Sequence, residues 1–175
     1  MVALLRAVNV GGKNRVAMAD LRGLATRLGL ADPITYVQSG NLVVTTSLTP
    51  AALEHELAAA IHRELHVTTV VMVRTARELA AISAADPYVA DEQVATKRVT
   101  VFLTDVPAAA AAASLAPDRF APDRFALRGR ELYLHLPDGM GRARFSMPVV
   151  ERAFGVQGTA RNATTVSRLA ELASA

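Results

Sequence analysis

The sequence predicts an α+β fold built from two β-α-β-β-α-β units in tandem with a helix at the C-terminus, and three observations carry that prediction. Residues 1–74 alternate short apolar or β-branched runs with segments of helical apolar spacing in the order β-α-β-β-α-β. Residues 98–175 repeat that order in outline, with a weak last strand. A chain of 175 residues buries roughly 70% of the surface its unfolded form exposes, enough for one compact domain or two half-domains sharing a core.

In the first half, Val2 to Val8 is an apolar run interrupted by Arg6 and reads as a strand running into a Gly-Gly loop. Met18, Leu21, Leu24, Ala25 and Leu28 recur at helical spacing, and Gly29 ends the helix. Pro33 opens a strand over Ile34 to Gln38, Ser39-Gly40-Asn41 turns the chain, and Leu42 to Thr46 returns. Thr49 caps the next helix, with Pro50 at its first position and Leu53, Leu57, Ile61 and Leu65 on its inner stripe. Val67 to Val73 is the fourth strand.

Arg74 to Ala85 reads as a linking helix that stops before Asp86-Pro87. A strand over Arg98 to Leu103 and an Ala-rich helix over Ala108 to Leu115 follow. Residues 116–125 hold Ala-Pro-Asp-Arg-Phe twice, read as a local duplication in a surface loop. Phe125 to Arg128 and Glu131 to Leu136 form a hairpin around Gly129. Ser146 caps a helix with Pro148 in its first turn and Gly155 as its stop; Thr159 to Arg161 is a short strand, and Asn162 caps the last helix. The resulting architecture is two ferredoxin-like half-domains, each an antiparallel sheet with helices on one face: 1–74, then a linking helix and loop over 75–97, then 98–175. Right-handed crossover makes the first and second strands of a unit parallel with the third between them, so the loop after strand one and the 38–41 turn share a sheet edge.

Composition bounds the function class. With 51% hydrophobic and 20% charged residues the chain reads as an ordinary globular protein, and the lack of Cys removes disulfide and thiolate chemistry. No apolar run approaches the roughly 20 residues that span a bilayer, and no secretory pattern opens the sequence, so the cytoplasm is the expected location. The net charge of +3 is unevenly spread. Residues 1–50 carry five basic and two acidic side chains, 51–95 three and seven, and 96–175 eleven and seven.

Asn9-Val10-Gly11-Gly12-Lys13-Asn14 joins a strand to a helix N-terminus, where backbone N–H groups and the helix dipole attract anions. The Walker pattern fails, because Ala7 stands at its leading Gly and Asn14 at its hydroxyl; the bland reading is a loop that needs glycine to turn. Arg6, among apolar neighbours, needs a carboxylate partner, an outlet to water or a ligand. Gln38-Ser39-Gly40-Asn41 is explained by a turn, and no nucleophile elbow surrounds Ser39. His62 and His66 lack the His-Glu-x-x-His pattern, so no metal site is expected. Gly139-Met140-Gly141-Arg142-Ala143-Arg144 joins a strand to a helix with two guanidinium groups, and Thr159-Ala160-Arg161-Asn162 falls on the same edge of the second unit. Solvated arginines and a helix cap are the plain alternative.

Leu5-Arg6-Ala-Val-Asn-Val-Gly-Gly-Lys-Asn14, Tyr36-Val-Gln-Ser-Gly-Asn41, Leu136-Pro-Asp-Gly-Met-Gly-Arg142, and Thr159-Ala-Arg-Asn162 with Thr165-Val166 occur in this order, and together they resemble a bacterial family known as domain of unknown function 1697. The resemblance implies a tandem ferredoxin-like fold and no established activity. The family's motifs usually read Arg-Gly-Ile-Asn, Pro-Met, Gly-Arg-Ser-Lys and Arg-Asn-Trp. This chain has Ala7, Ala17, Ala143 with Arg144, and Ala163 at the differing positions.

The expected function is non-catalytic binding of a phosphate-bearing ligand, a nucleotide or nucleic acid. The contacts would come from Arg6, Asn9, Gly11, Gly12, Lys13, Asn14, Gln38, Ser39, Gly40, Asn41, Arg142, Arg144, Arg161 and Asn162. No catalytic residue is assigned, and neither a cofactor nor a membrane partner is expected. A metal-independent enzyme acting on a small anionic metabolite and an interaction or oligomerisation module are the competing classes; the oligomeric state is left open.

Overall fold

The structure is a computed structural model describing residues 1–12, 14–113 and 115–175; of the predicted site residues, Lys13 lies outside it. The chain divides into two compact units, Met1–Ala80 with Arg168–Ala175, and Ala81–Ser167. The fold is α+β, with two four-stranded antiparallel sheets.

The first unit runs β1 (Val2–Leu5), α1 (Met18–Arg27), β2 (Ala31–Thr35), β3 (Asn41–Thr45), α2 (Pro50–Leu65) and β4 (Val71–Arg74), with α3 (Ala76–Ala84) following. Its sheet order is β2-β3-β1-β4. Alternation puts Ala3, Leu5, Leu42, Val44, Val71 and Val73 in one core with Leu21 and Leu24 of α1 and Leu53, Leu57 and Ile61 of α2. The strand predicted over 34–38 lies earlier, because Pro33 is absorbed inside β2. A register shift between Ala31 and Ile34 accommodates it, with Asp32 at φ 50°, as an edge strand permits. Thr49 caps α2 as expected, its Oγ1 accepting from Ala52 N at 3.2 Å. His66 is the left-handed C-cap beyond α2, so it shares no helix face with His62.

The second unit runs β5 (Arg98–Leu103), α4 (Ala109–Ala113), β6 (Arg124–Arg128), β7 (Glu131–His135), α5 (Met147–Phe154) and β8 (Gly158–Asn162), with α6 (Ala163–Ser174) after it. Its sheet order, β6-β7-β5-β8, repeats that of the first unit. The repetition reaches individual bonds. Leu5 N donates to Gly40 O at 2.8 Å, and Leu103 N to Arg130 O at 2.9 Å. The fifth residue of α2, Glu54, accepts from Val73 N at 2.8 Å on the fourth strand, while the fifth residue of α5, Glu151, accepts from Gly158 N at 3.1 Å.

The duplicated segment is not the plain surface loop expected. Its first copy forms a 3₁₀ turn over Pro117–Phe120, and its second enters β6. Phe120 is buried and stacks on Phe145 at 4.1 Å between centroids, with Phe125 edge-on to Phe145 at 5.1 Å. Two benzyl groups five residues apart reach one core because the turn folds the first copy back over the second.

Candidate functional site

Asn9 determines the geometry of the first loop. Its Nδ2 donates to Val16 O and to Gln38 O, both at 2.8 Å, and its Oδ1 accepts from Val16 N at 2.9 Å. One side chain therefore closes the 9–16 loop on itself and ties it to the 36–40 turn, which makes neighbours of two segments 29 residues apart in sequence. Asn9 N donates to Asn14 O at 3.1 Å, and Asn14 Nδ2 donates to Ala7 O at 3.3 Å.

The turn is built from beneath by Gly40 and Asn41, both buried. Asn41 Nδ2 donates to Tyr36 O at 2.9 Å and to Ser39 Oγ at 3.0 Å. Gly40 has φ 73°, and a Cβ there would lie 2.3 Å from Val8 Cγ2 and 2.8 Å from Leu5 Cβ. Only glycine fits that approach.

Left-handed backbone concentrates here. Ala7, Asn9, Asn14 and Val37 have φ between 49° and 56°, and Gly11 and Gly12 have 59° and 75°. For β-branched Val37 this is a costly conformation, and such outliers persist where the surroundings enforce them. Between loop and turn lies a concavity of about 430 Å³ lined by Asn9, Gly12, Arg15, Val16, Ala17 and Gln38. Ala17 is the N-cap of α1 and has no side-chain oxygen to offer the first-turn N–H groups.

Of the predicted residues, Asn9, Gly12 and Gln38 line this concavity. Gly11 and Asn14 are exposed on its loop, and Ser39, Gly40 and Asn41 form or support its turn. Arg6 is half-buried just past β1, with its N–H on Val70 O at 2.9 Å and its carbonyl accepting from Thr69 Oγ1 at 2.8 Å. Arg15 and Ala17 were missed. The signal available was a cation two residues before an alanine at a helix N-cap.

The second predicted group separates by burial. Arg142 ends a 3₁₀ turn over Met140–Arg142 and is exposed, as is Arg144, whose backbone N–H donates to buried Asp123 Oδ2 at 2.6 Å. Arg161 is only 7% exposed, and its Nη1 donates to Thr159 Oγ1 and Ala160 O, each at 2.8 Å. Burial pushes its pKa down to about 10, which leaves it charged at neutral pH. Asn162 spends its Oδ1 as the cap of α6, accepting from Thr165 N at 2.9 Å.

Among the described residues no helix is long and apolar enough to cross a membrane. No curated protein matches the chain. Among solved structures it is similar to the conserved bacterial protein SP0830 from Streptococcus pneumoniae, with a TM-score of 0.73 over 98% of this chain and 97% of that one; at 20% identity this shows the shared fold alone. The family described as protein of unknown function (DUF1697) matches residues 1–133, a span that contains the whole loop-and-turn concavity and ends before the 139–144 loop. The chain belongs to the DUF1697 family.

Proposed function

We propose that the first unit binds a small phosphate-bearing ligand, such as a nucleotide, in the concavity between the 9–16 loop and the 36–40 turn. The observation that carries this reading is the Asn9 side chain, which holds a strained loop against the Gln38 carbonyl and so keeps open a concavity beside the uncapped end of α1. Unspent N–H groups at a helix end and a guanidinium from Arg15 suit an anion. The size, about 430 Å³, falls within the range of small-molecule sites. The described lining has no carboxylate, imidazole or hydroxyl for acid, base or nucleophilic work, which favours binding over catalysis. Each unit is a ferredoxin-like half in this reading, supported by the repeated strand order and the paired Glu54 and Glu151 bonds.

The test is thermal denaturation and calorimetry with pyrophosphate, AMP and ATP on wild type and Arg15→Ala. A ligand at a hundredfold excess over its Kd stabilises by about 2.7 kcal/mol, and Arg15→Ala weakens binding about tenfold. No stabilisation by any of the three, or an unchanged Kd in Arg15→Ala, overturns the proposal. Nucleic acid would instead lose about 10³-fold affinity between 50 and 200 mM salt.

A further inference from the structure

On the second sheet Arg124 of β6, His135 of β7 and Arg98 of β5 stand directly across from one another, paired in register as Arg124 with His135 and His135 with Arg98. Directly opposed side chains share a face. Here it is the face away from the aliphatic core, which takes Val99 and Leu134 from the alternate positions. The segment 85–92, between α3 and β5, lies over this row and brings a carboxylate to each member. Asp91 Oδ2 accepts from Arg124 Nη2 at 2.8 Å, Glu92 Oε2 lies 3.5 Å from His135 Nε2, and Asp86 Oδ2 accepts from Arg98 Nη1 at 2.5 Å. Tyr88 of the same segment is buried, its ring centroid 5.7 Å from that of the imidazole and 5.0 Å from the Arg124 guanidinium carbon. Residues 85–92 are thus a strap held down by three charged contacts and one buried ring.

The bonds decide the protonation state of the ring at the middle of the row. Arg124 also places Nε and Nη2 at 3.3 and 3.1 Å from His135 Nδ1. A guanidinium only donates, so Nδ1 is the acceptor and carries no proton. The ring hydrogen is then on Nε2, directed at Glu92, and His135 stands as the neutral Nε2–H tautomer. A further proton has to enter at Nδ1, where it converts the acceptor of Arg124 into a donor. Three N–H groups aimed at one another do not hold such distances, and the two cations repel. The other charged groups around the ring have partners of their own. Arg98 is committed to Asp86, Lys97 lies 3.7 Å from Glu92, and the Tyr133 hydroxyl donates to Ile82 O at 3.0 Å. Arg124 is the group that yields, because it stands on an edge strand with its side chain 49% exposed, whereas His135 is 8% exposed.

We propose that His135 is a proton-operated latch on the strap. Protonation at Nδ1 expels the Arg124 guanidinium, and Asp91, bonded to it, leaves the sheet face with it. The Tyr88 ring loses the cation beside it in the same step. Glu92 keeps its hold on the protonated ring, so acid loosens the strap on its β6 side while its Asp86 anchor stays. The latch lies wholly within the second unit and is independent of the phosphate site proposed on the first.

The experiment follows the intact chain by NMR from about pH 8 to about pH 5, the range in which an imidazole serves as a switch. It reads the ring nitrogens of His135 and the hydrogen exchange of the Asp91 and Glu92 amides, which donate to Tyr88 O at 3.2 and 3.0 Å. The Nε2–H tautomer is present at the alkaline end. As the ring takes its proton, the protection of both amides falls about tenfold, with the same midpoint as the ring nitrogens. His135→Gln offers a carbonyl to Arg124 and an N–H to Glu92, as the neutral ring does, but takes no proton, so its protection stays flat. Arg124→Met keeps the stem and donates nothing; it uncouples amide exchange from the ring and serves if His135→Gln fails to fold. An Nδ1–H tautomer at the alkaline end, or a ring that stays neutral throughout, overturns the latch. So does wild-type protection that does not follow the ring, or an equal loss of protection in His135→Gln.

Discussion

Gly40 and Gly12 have nearly the same backbone angle, φ 73° and 75°, yet they answer to different demands. A Cβ on Gly12 meets nothing within 4 Å, whereas one on Gly40 collides with Val8 and Leu5. Gly12→Ala is therefore expected to cost about 1 kcal/mol, the left-handed penalty alone. Gly40→Ala adds overpacking of a buried contact, for a total of about 3 kcal/mol or more. Urea denaturation of the two variants measures the difference, and equal losses would refute the steric account. Asn9→Ala removes three hydrogen bonds and leaves Val16 N–H without its acceptor. A loss of about 2 kcal/mol and faster amide exchange at Val16 are expected, and exchange at wild-type rates would show that the loop closes without Asn9.

Among the elements, the duplicated Ala-Pro-Asp-Arg-Phe tests how far identical sequence dictates identical structure. Asp118 in the first copy is exposed, while Asp123 in the second is buried and accepts from the N–H groups of Arg144 and Phe145 at 2.6 and 3.3 Å. Asp118→Ala is expected to change stability by less than about 0.5 kcal/mol, and Asp123→Ala to cost about 2 kcal/mol through two unsatisfied donors, the N–H of Phe145 buried and that of Arg144 half-buried. Comparable effects from the two substitutions would contradict the assigned environments. The repeat was legible in the sequence, but not its division of labour. Which copy's carboxylate becomes an internal acceptor depends on the 144–145 backbone, about 20 residues away. The caps of α2 by Thr49 and of α6 by Asn162 and the Gly155 stop of α5 were legible, because caps are local chemistry, whereas Ser146, expected to cap α5, stands at its N-cap position without a side-chain cap bond. The displacement of β2 was not, because Pro33 reads as the residue that opens a strand, yet it is tolerated inside one at a bulged edge.

At the scale of the whole molecule, stability against pH follows from groups the fold desolvates. Tyr133 is buried on β7, its hydroxyl donating to Ile82 O at 3.0 Å, and burial with Glu131 nearby pushes its pKa up to about 12. Between pH 10 and 12 the folded chain holds this proton more tightly than the unfolded chain, so the Tyr133 contribution to stability falls as pH rises. The loss is on the order of 2 kcal/mol across that range. Arg161, pushed down to about 10, acts with the opposite sign over the same range, so the test compares Tyr133→Phe with wild type. The variant's stability declines less between pH 10 and 12, and identical slopes would show that Tyr133 ionises normally. The sequence by itself determined the α+β class, the order of the elements, the helix caps at Thr49 and Asn162 and the adjacency of the first loop and the 38–41 turn. Propensity, glycine placement and crossover handedness are local or topological constraints that one chain carries on its face. Only the tertiary structure decided that Asn41 and Arg161 are buried, that Asn9 is the tie between loop and turn, and that Arg98 Nε is buried with no hydrogen-bond partner among the described residues. Burial and hydrogen-bond partnership are set by residues distant in sequence, and no local pattern records them.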